Sequence, residues 1–319
     1  MRKVKLLPDE HLFVEKRKTV FRKEEFEYVH VGIVNSKGEM FTTTELDIPN
    51  YVQALNAYRQ KYGIPFPSEI AALRRYYGLS AAKMSEILGF GTNQYRLYEK
   101  GEVPNDSNAR VIISIRNKNV FLEYLKASSA TMSDEEYREI ADRIKGLPEY
   151  IQPLKTPDSS NGFTILSNDR ITAVIQYFIS RLGGVFTTKM NKLLYYVDTL
   201  AYKRTGYGIT GLEYRALQFG PVPADWMKVY GTADGIESEE VIFPNDVCGT
   251  MLISSKQPDM SLFTEDEKQV LDDVCVSLGN LNSTQISQLS HQEKGWIENQ
   301  SSHSPIDYSY AFLLNAIPL

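Results

Sequence analysis

With 319 residues, 42% of them hydrophobic and 24% charged, the chain is long enough for two or three globular domains. This composition excludes a fibrous or disordered protein. No apolar run approaches the roughly eighteen residues of a membrane span, and the opening MRKVKLLPDEHLF is charged where a signal peptide carries its apolar stretch.

A cytoplasmic protein with no membrane partner is therefore expected. The net charge of −5 is unevenly spread. Residues 1–150 hold 23 Lys and Arg against 21 Asp and Glu, net +2, and the remainder holds 12 against 19, net −7. That is the sign expected if the front touches nucleic acid and the back touches something else. Cys248 and Cys275 are the two cysteines, and neither lies in a CxxC or near a histidine pair. Two buried thiols are expected, without a zinc site or disulfide framework.

In chain order, FEYVHVGIV (26–34), a turn at Asn35-Ser36-Lys37-Gly38 and EMFTTTEL alternate with period two, a hairpin signal. A small β-rich domain over residues 1–50 is expected. From Pro49 the apolar spacing lengthens to a helical period, until a break at Gly63-Ile64-Pro65. Ser68 can cap a helix stopping at Gly78, Ser80 a second stopping at Gly89, and Thr92 a third closed by Gly101. Three short helices with two glycine turns have the layout of a helix-turn-helix, expected within residues 51–127. Further helices are expected over 107–116 and from 118 towards 126. Residues 128–165 hold one more, with Ser133 and Glu136 as a capping box, and a proline-rich linker. The last domain, 166–319, reads as largely helical, interrupted by GYGITGLEYRALQFGPVP and closed by TEDEKQVLDDVCVSLG. The fold class is mainly α, with a small β-rich front and short β elements in the back.

The third helix opens on Thr92, Asn93, Gln94, Tyr95 and Arg96, residues that neither favour helix strongly nor bury well. In a helix-turn-helix the second helix enters the major groove, and its first residues must hydrogen-bond base edges. Asn93 and Gln94 carry the donor and acceptor pair that adenine requires, and Arg96 can fork onto guanine or a phosphate. Arg75, Lys83, Lys100 and Arg110 are candidates for phosphates. Residues 68–118 hold eight basic against five acidic side chains, net +3. That modest charge points to a dimer that doubles a weak contact. Helical hairpins also occur as plain bundle elements, in which Tyr95 and Tyr98 would be core.

LRRYYGLSAAKMSEILGFGTNQYRLYEKGEVP (73–104) resembles the helix-turn-helix of MqsA-type antitoxins. It shares a GLS cap, an E-I-L-G turn, a G-x-N opening and a Y-E-x-G close. In that family the asparagine after the turn and an arginine four positions on read bases. Asn93 matches; Leu97 stands four positions on, with Arg96 one step earlier, about 100° around the helix. Ala81 replaces the glutamine often found near the start of the preceding helix. Family members often staple the front domain with zinc, but residues 1–50 hold no cysteine, and His11 and His30 are too few ligands. No metal or cofactor is expected.

KLLYYVDTLAYKRTGYGITGLEYRALQFGPVPADWMKVY (192–230) resembles the Panacea domain, also met as the SocA-like domain of antitoxins. The shared features are K-L-L-Y, Asp198, a T-G-x-x-Y ending at Tyr214, and F-G-P-V-P at 219–223. The resemblance implies an element that neutralises a protein toxin. Tyr195, Asp198, Tyr214, Phe219, Pro221 and Trp226 are the candidate toxin contacts. Around the glycine-proline turn, exposed interface anchors and core packing remain equally open.

No phosphate loop, dinucleotide fingerprint, nucleophile elbow or HExxH is present. His291 with Glu293, and Asp272 with Asp273, are the remaining polar constellations, and no catalytic residue is assigned. The expected function is a type II antitoxin that binds its toxin through the back domain and its operator through the helix-turn-helix, as a homodimer or toxin–antitoxin complex. A one-component transcription regulator that senses a ligand or partner, and an adaptor that delivers the toxin to a protease, are the alternatives.

Overall fold

The computed structural model describes residues 4–244 and 247–317, and it divides into two compact units. One comprises Met1–Ala54 and Pro157–Leu319, the other Leu55–Thr156.

The first unit opens with a three-stranded antiparallel meander of β1 (His11–Phe21), β2 (Glu24–Val34) and the two-residue β3 (Met40–Phe41). The long pair is β1 with β2, closed by Arg22 and Lys23, both at positive φ. Two consecutive left-handed residues give the turn whose twist matches paired strands. Arg-Lys is not a sequence signal for such a turn, so the first strand was not expected. The hairpin read around Asn35–Gly38 survives only as the short β2–β3 pairing. Helix α1 (Thr44–Tyr62) starts ahead of the expected Pro49, which lies inside it, and contains the boundary between the units. Its Asn50 side chain accepts from Val31 N and donates to Val31 O, both at 2.9 Å, fastening the helix to β2 through backbone groups.

The second unit is a cluster of short helices: α2 (Pro67–Tyr77), α3 (Ala81–Ile87), α4 (Gln94–Glu99), α5 (Asp106–Ser114), α6 (Lys118–Ala127) and α7 (Asp134–Gly146). Their shared core includes Ile70, Tyr77, Met84, Tyr95, Tyr98, Phe121 and Ile144. Tyr77 stacks on Phe121 at 4.0 Å. Ser80 and Ser133 cap α3 and α7 as their sequence positions predict. Two caps differ. Helix α2 begins at Pro67, with Glu69 reaching back to the Phe66 N–H at 2.9 Å, so Ser68 lies inside it. Glu136 does not complete a capping box in the way expected, because its carboxylate pairs with Lys83 at 2.7 Å.

The rest of the first unit is arranged around one helix. Helix α8 (Asn168–Leu182) leads through β4 (Val185–Phe186) into α9 (Thr187–Thr205). Next come the hairpin β5 (Tyr214–Leu217) and β6 (Gly220–Pro223), then α10 (Trp226–Thr232), β7 (Glu237–Phe243) and β8 (Val247–Ile253). Helices α11 (Glu265–Leu278), α12 (Ser283–Ser290) and α13 (Lys294–Asn299) close the unit. The second sheet runs β4-β8-β7. Every residue of α9 from Met190 to Arg204 is buried, and α8, α11, α12 and β6 pack around it. A helix enclosed on all sides buries its polar residues too, and each such group then needs a partner. The expected burial of both thiols fails. Cys248 is exposed on the β7–β8 hairpin, and Cys275 is half-buried.

Candidate functional site

The α3–α4 hairpin is held from inside. Ser85 on α3 accepts from the Tyr95 N–H at 3.0 Å, and the Tyr95 hydroxyl donates to the Ile70 carbonyl at 2.9 Å. Tyr98 accepts from Asn108 at 2.7 Å. Tyr95, expected at the groove, is therefore fully buried: one step along a helix turns it to the core side.

The opposite face presents Asn93, Arg96, Leu97 and Lys100, spaced at i, i+3, i+4 and i+7, and all four are exposed. Thr92 is exposed beside them but does not cap α4. Asn93 occupies the cap position, without a side-chain bond to the helix. Gln94 is half-buried, and its amide donates to Glu102 at 2.7 Å. Arg75 is exposed on α2. Lys83 is committed elsewhere: its ammonium pairs with Glu86 and Glu136, both at 2.7 Å, and these carboxylates hold its pKa above the usual lysine value against the opposing effect of burial.

In the other unit, Asp198 lies at the centre of α9. It accepts from Ile209 N at 2.7 Å, Thr210 N at 2.8 Å and the Tyr214 hydroxyl at 2.7 Å, and also from the Thr210 hydroxyl. Burial pushes its carboxyl pKa up, and these hydrogen bonds pull it back. The loop after α9 is thus wrapped onto a single buried carboxylate. Tyr195, Asp198 and Tyr214 have at most 1% exposure, and Pro221 is also buried. These four expected toxin contacts are interior groups that shape the domain, because α9 is enclosed and the β5–β6 hairpin packs against it.

Phe219 and Trp226 are at the surface. Phe219, at the β5–β6 turn, is 62% exposed, and Met227 beside Trp226 is 72% exposed. Trp226 stands between two pockets of about 280 Å³ each. One reaches Tyr230, Ile236 and Glu237; the other is lined by the start of α9, including Thr187, Asn191 and Lys192, and by Phe219. Lys192, the first residue of K-L-L-Y, carries no expected role; its sequence signal is a lysine beside an apolar run early in a helix.

The segment that builds this surface matches a known family. Residues 190–297 match the antitoxin SocA-like Panacea domain. The match carries an antitoxin-type role for this region and, in general, a toxin as its partner. No curated protein and no solved structure matches the chain. The Panacea domain runs from α9 to α13 and includes both Phe219 and Trp226. No helix among the described residues is long and apolar enough to cross a membrane.

Proposed function

We propose that this protein is the antitoxin of a type II toxin–antitoxin pair, acting in the cytoplasm by binding and not by catalysis. In this reading the Panacea domain holds the cognate toxin, and the exposed face of α4 binds the operator of the protein's own operon. The match of residues 190–297 carries the toxin half of the proposal. Exposed Phe219, Trp226 and Met227 are the side chains from which an interface hot spot is built. The acidic back of the chain suits a basic toxin, chiefly by raising its association rate. The operator half rests on Asn93, Arg96 and Lys100 sharing one solvent face. A net charge of only +3 over residues 68–118 favours DNA binding as a homodimer or as a toxin–antitoxin hetero-oligomer.

The test is co-expression of the neighbouring gene with the full chain, with a Phe219→Ala/Trp226→Ala variant, and with an Asn93→Ala/Arg96→Ala variant. Growth, co-purification and promoter binding are scored. The wild type and the α4 variant should rescue growth, while the aromatic variant loses rescue and co-purification. A neighbour that is harmless when expressed alone, or an aromatic variant that still rescues fully, would remove the toxin-binding reading.

A further inference from the structure

Among the buried ionisable groups of α9, Lys192 stands apart. Asp198 has its four donors, Lys203 donates to the Leu314 carbonyl at 2.9 Å, and Arg204 pairs with Asp273 at 2.8 Å. Lys192 is fully buried, and its Nζ has no hydrogen-bond partner among the described residues. An unpaired ammonium in the interior is costly, and proteins retain such groups mainly where something pairs with them. Burial pushes the Lys192 amine down to about 8, which leaves most of it charged at neutral pH.

Lys192 is among the residues lining the pocket between Phe219 and Trp226, with its amine buried behind that wall. Gly220 leaves the space it occupies: a Cβ there would meet Lys192 Cε at 2.7 Å and Ser290 Oγ at 2.3 Å. The pocket is also the start of a long helix. Thr187 and Thr188 line it, and the N-cap residue Phe186 offers no side-chain acceptor to the first-turn N–H groups. Those N–H groups and the helix dipole favour a negative charge in the pocket that Lys192 also lines. His291 adds a second buried nitrogen, Nε2, without a partner among the described residues; burial and then the Lys192 charge lower its pKa.

We propose that this pocket binds a carboxylate, paired by Lys192 and the N-terminus of α9, with the apolar stem of the ligand held between Phe219 and Trp226. Among the described residues Lys192 is the only charged one lining the pocket, so one negative charge is matched and a phosphate dianion is not. The lysine's flexible stem lets the ammonium swing to the pocket once a carboxylate enters. The carboxylate belongs either to an acidic side chain of a docked protein or to a free carboxylic acid.

The test is independent of any toxin. Full-length protein with ¹³C-labelled lysine is titrated with acetyl-Ala-Glu-Ala-amide, with butyrate and with inorganic phosphate, and the Lys192 Cε resonance is assigned by its loss in Lys192→Met. Both carboxylates should shift this resonance saturably and raise the apparent pKa of Lys192 by one unit or more, with phosphate at least tenfold weaker. Tighter binding of the peptide assigns the source to a protein side chain, and tighter binding of butyrate assigns it to a free acid. A resonance unmoved by both carboxylates, equal binding of phosphate, or undiminished peptide binding to folded Lys192→Met would overturn the proposal. A harmless neighbouring gene would remove the antitoxin reading and leave this result standing.

Discussion

The Tyr214 hydroxyl donates to the Asp198 carboxylate at 2.7 Å across 16 residues of sequence, and both groups are fully buried. Together with Thr210 this bond fixes the loop between α9 and β5, and through it the β5–β6 turn that displays Phe219. Tyr214→Phe leaves Asp198 with three donors and should cost about 1–2 kcal/mol. Asp198→Ala strands several buried donors at once and should cost about 3 kcal/mol or more. Urea unfolding followed by near-UV circular dichroism measures both. Equal losses for the two variants would contradict the hub geometry.

Lys192 predicts a pH dependence with a definite sign. Its amine is held at about 8 against an ordinary 10.5, so between these values the unfolded chain binds the proton more tightly. The cost of burying the charge is present below pH 8 and is relieved as pH rises, so stability should increase through this window by about 2–3 kcal/mol from this group. Lys203, also held at about 8 by burial, contributes in the same direction. Lys192→Met should be more stable than wild type at pH 7, and the difference should shrink by pH 9.5. Chemical denaturation at the two pH values reads it.

On the α4 face, Asn93→Ala should weaken specific operator binding by about 1–3 kcal/mol and relax sequence preference at one base pair. Arg96→Ala and Lys100→Ala should act through phosphates, each lowering the slope of log K against log salt by about one. Lys83→Ala should leave that slope unchanged, because its ammonium is already paired with Glu86 and Glu136. Fluorescence anisotropy over a salt series separates the three effects.

Gly211 sits at φ +77, and a Cβ there would lie 2.4 Å from the Ile165 carbonyl oxygen. The nearest atoms are all backbone of Ile165 and Leu166, so no flexible side chain can move away. Gly211→Ala should lose about 2 kcal/mol or more, from the left-handed backbone and the overlap together. A thermal melt within a degree of wild type would refute it.

Local chemistry was readable from the sequence. Ser80 and Ser133 cap helices because a hydroxyl there has first-turn N–H groups to accept from. The break at Gly63 follows from neighbouring residues alone. The T-G-x-x-Y and GPVP spacings identified the Panacea region, although not which of its residues are exposed. Depth was decided by tertiary packing. A helix enclosed by α8, α11, α12, β6 and further elements takes Tyr195 and Asp198 inside, while a two-residue turn sends Phe219 out, and no periodicity distinguishes these fates. Long-range pairing likewise placed Glu136 on Lys83 instead of on its own helix cap. It also left the Lys192 amine without a hydrogen-bond partner among the described residues, because a missing contact is a property of everything packed around a residue and of no segment by itself.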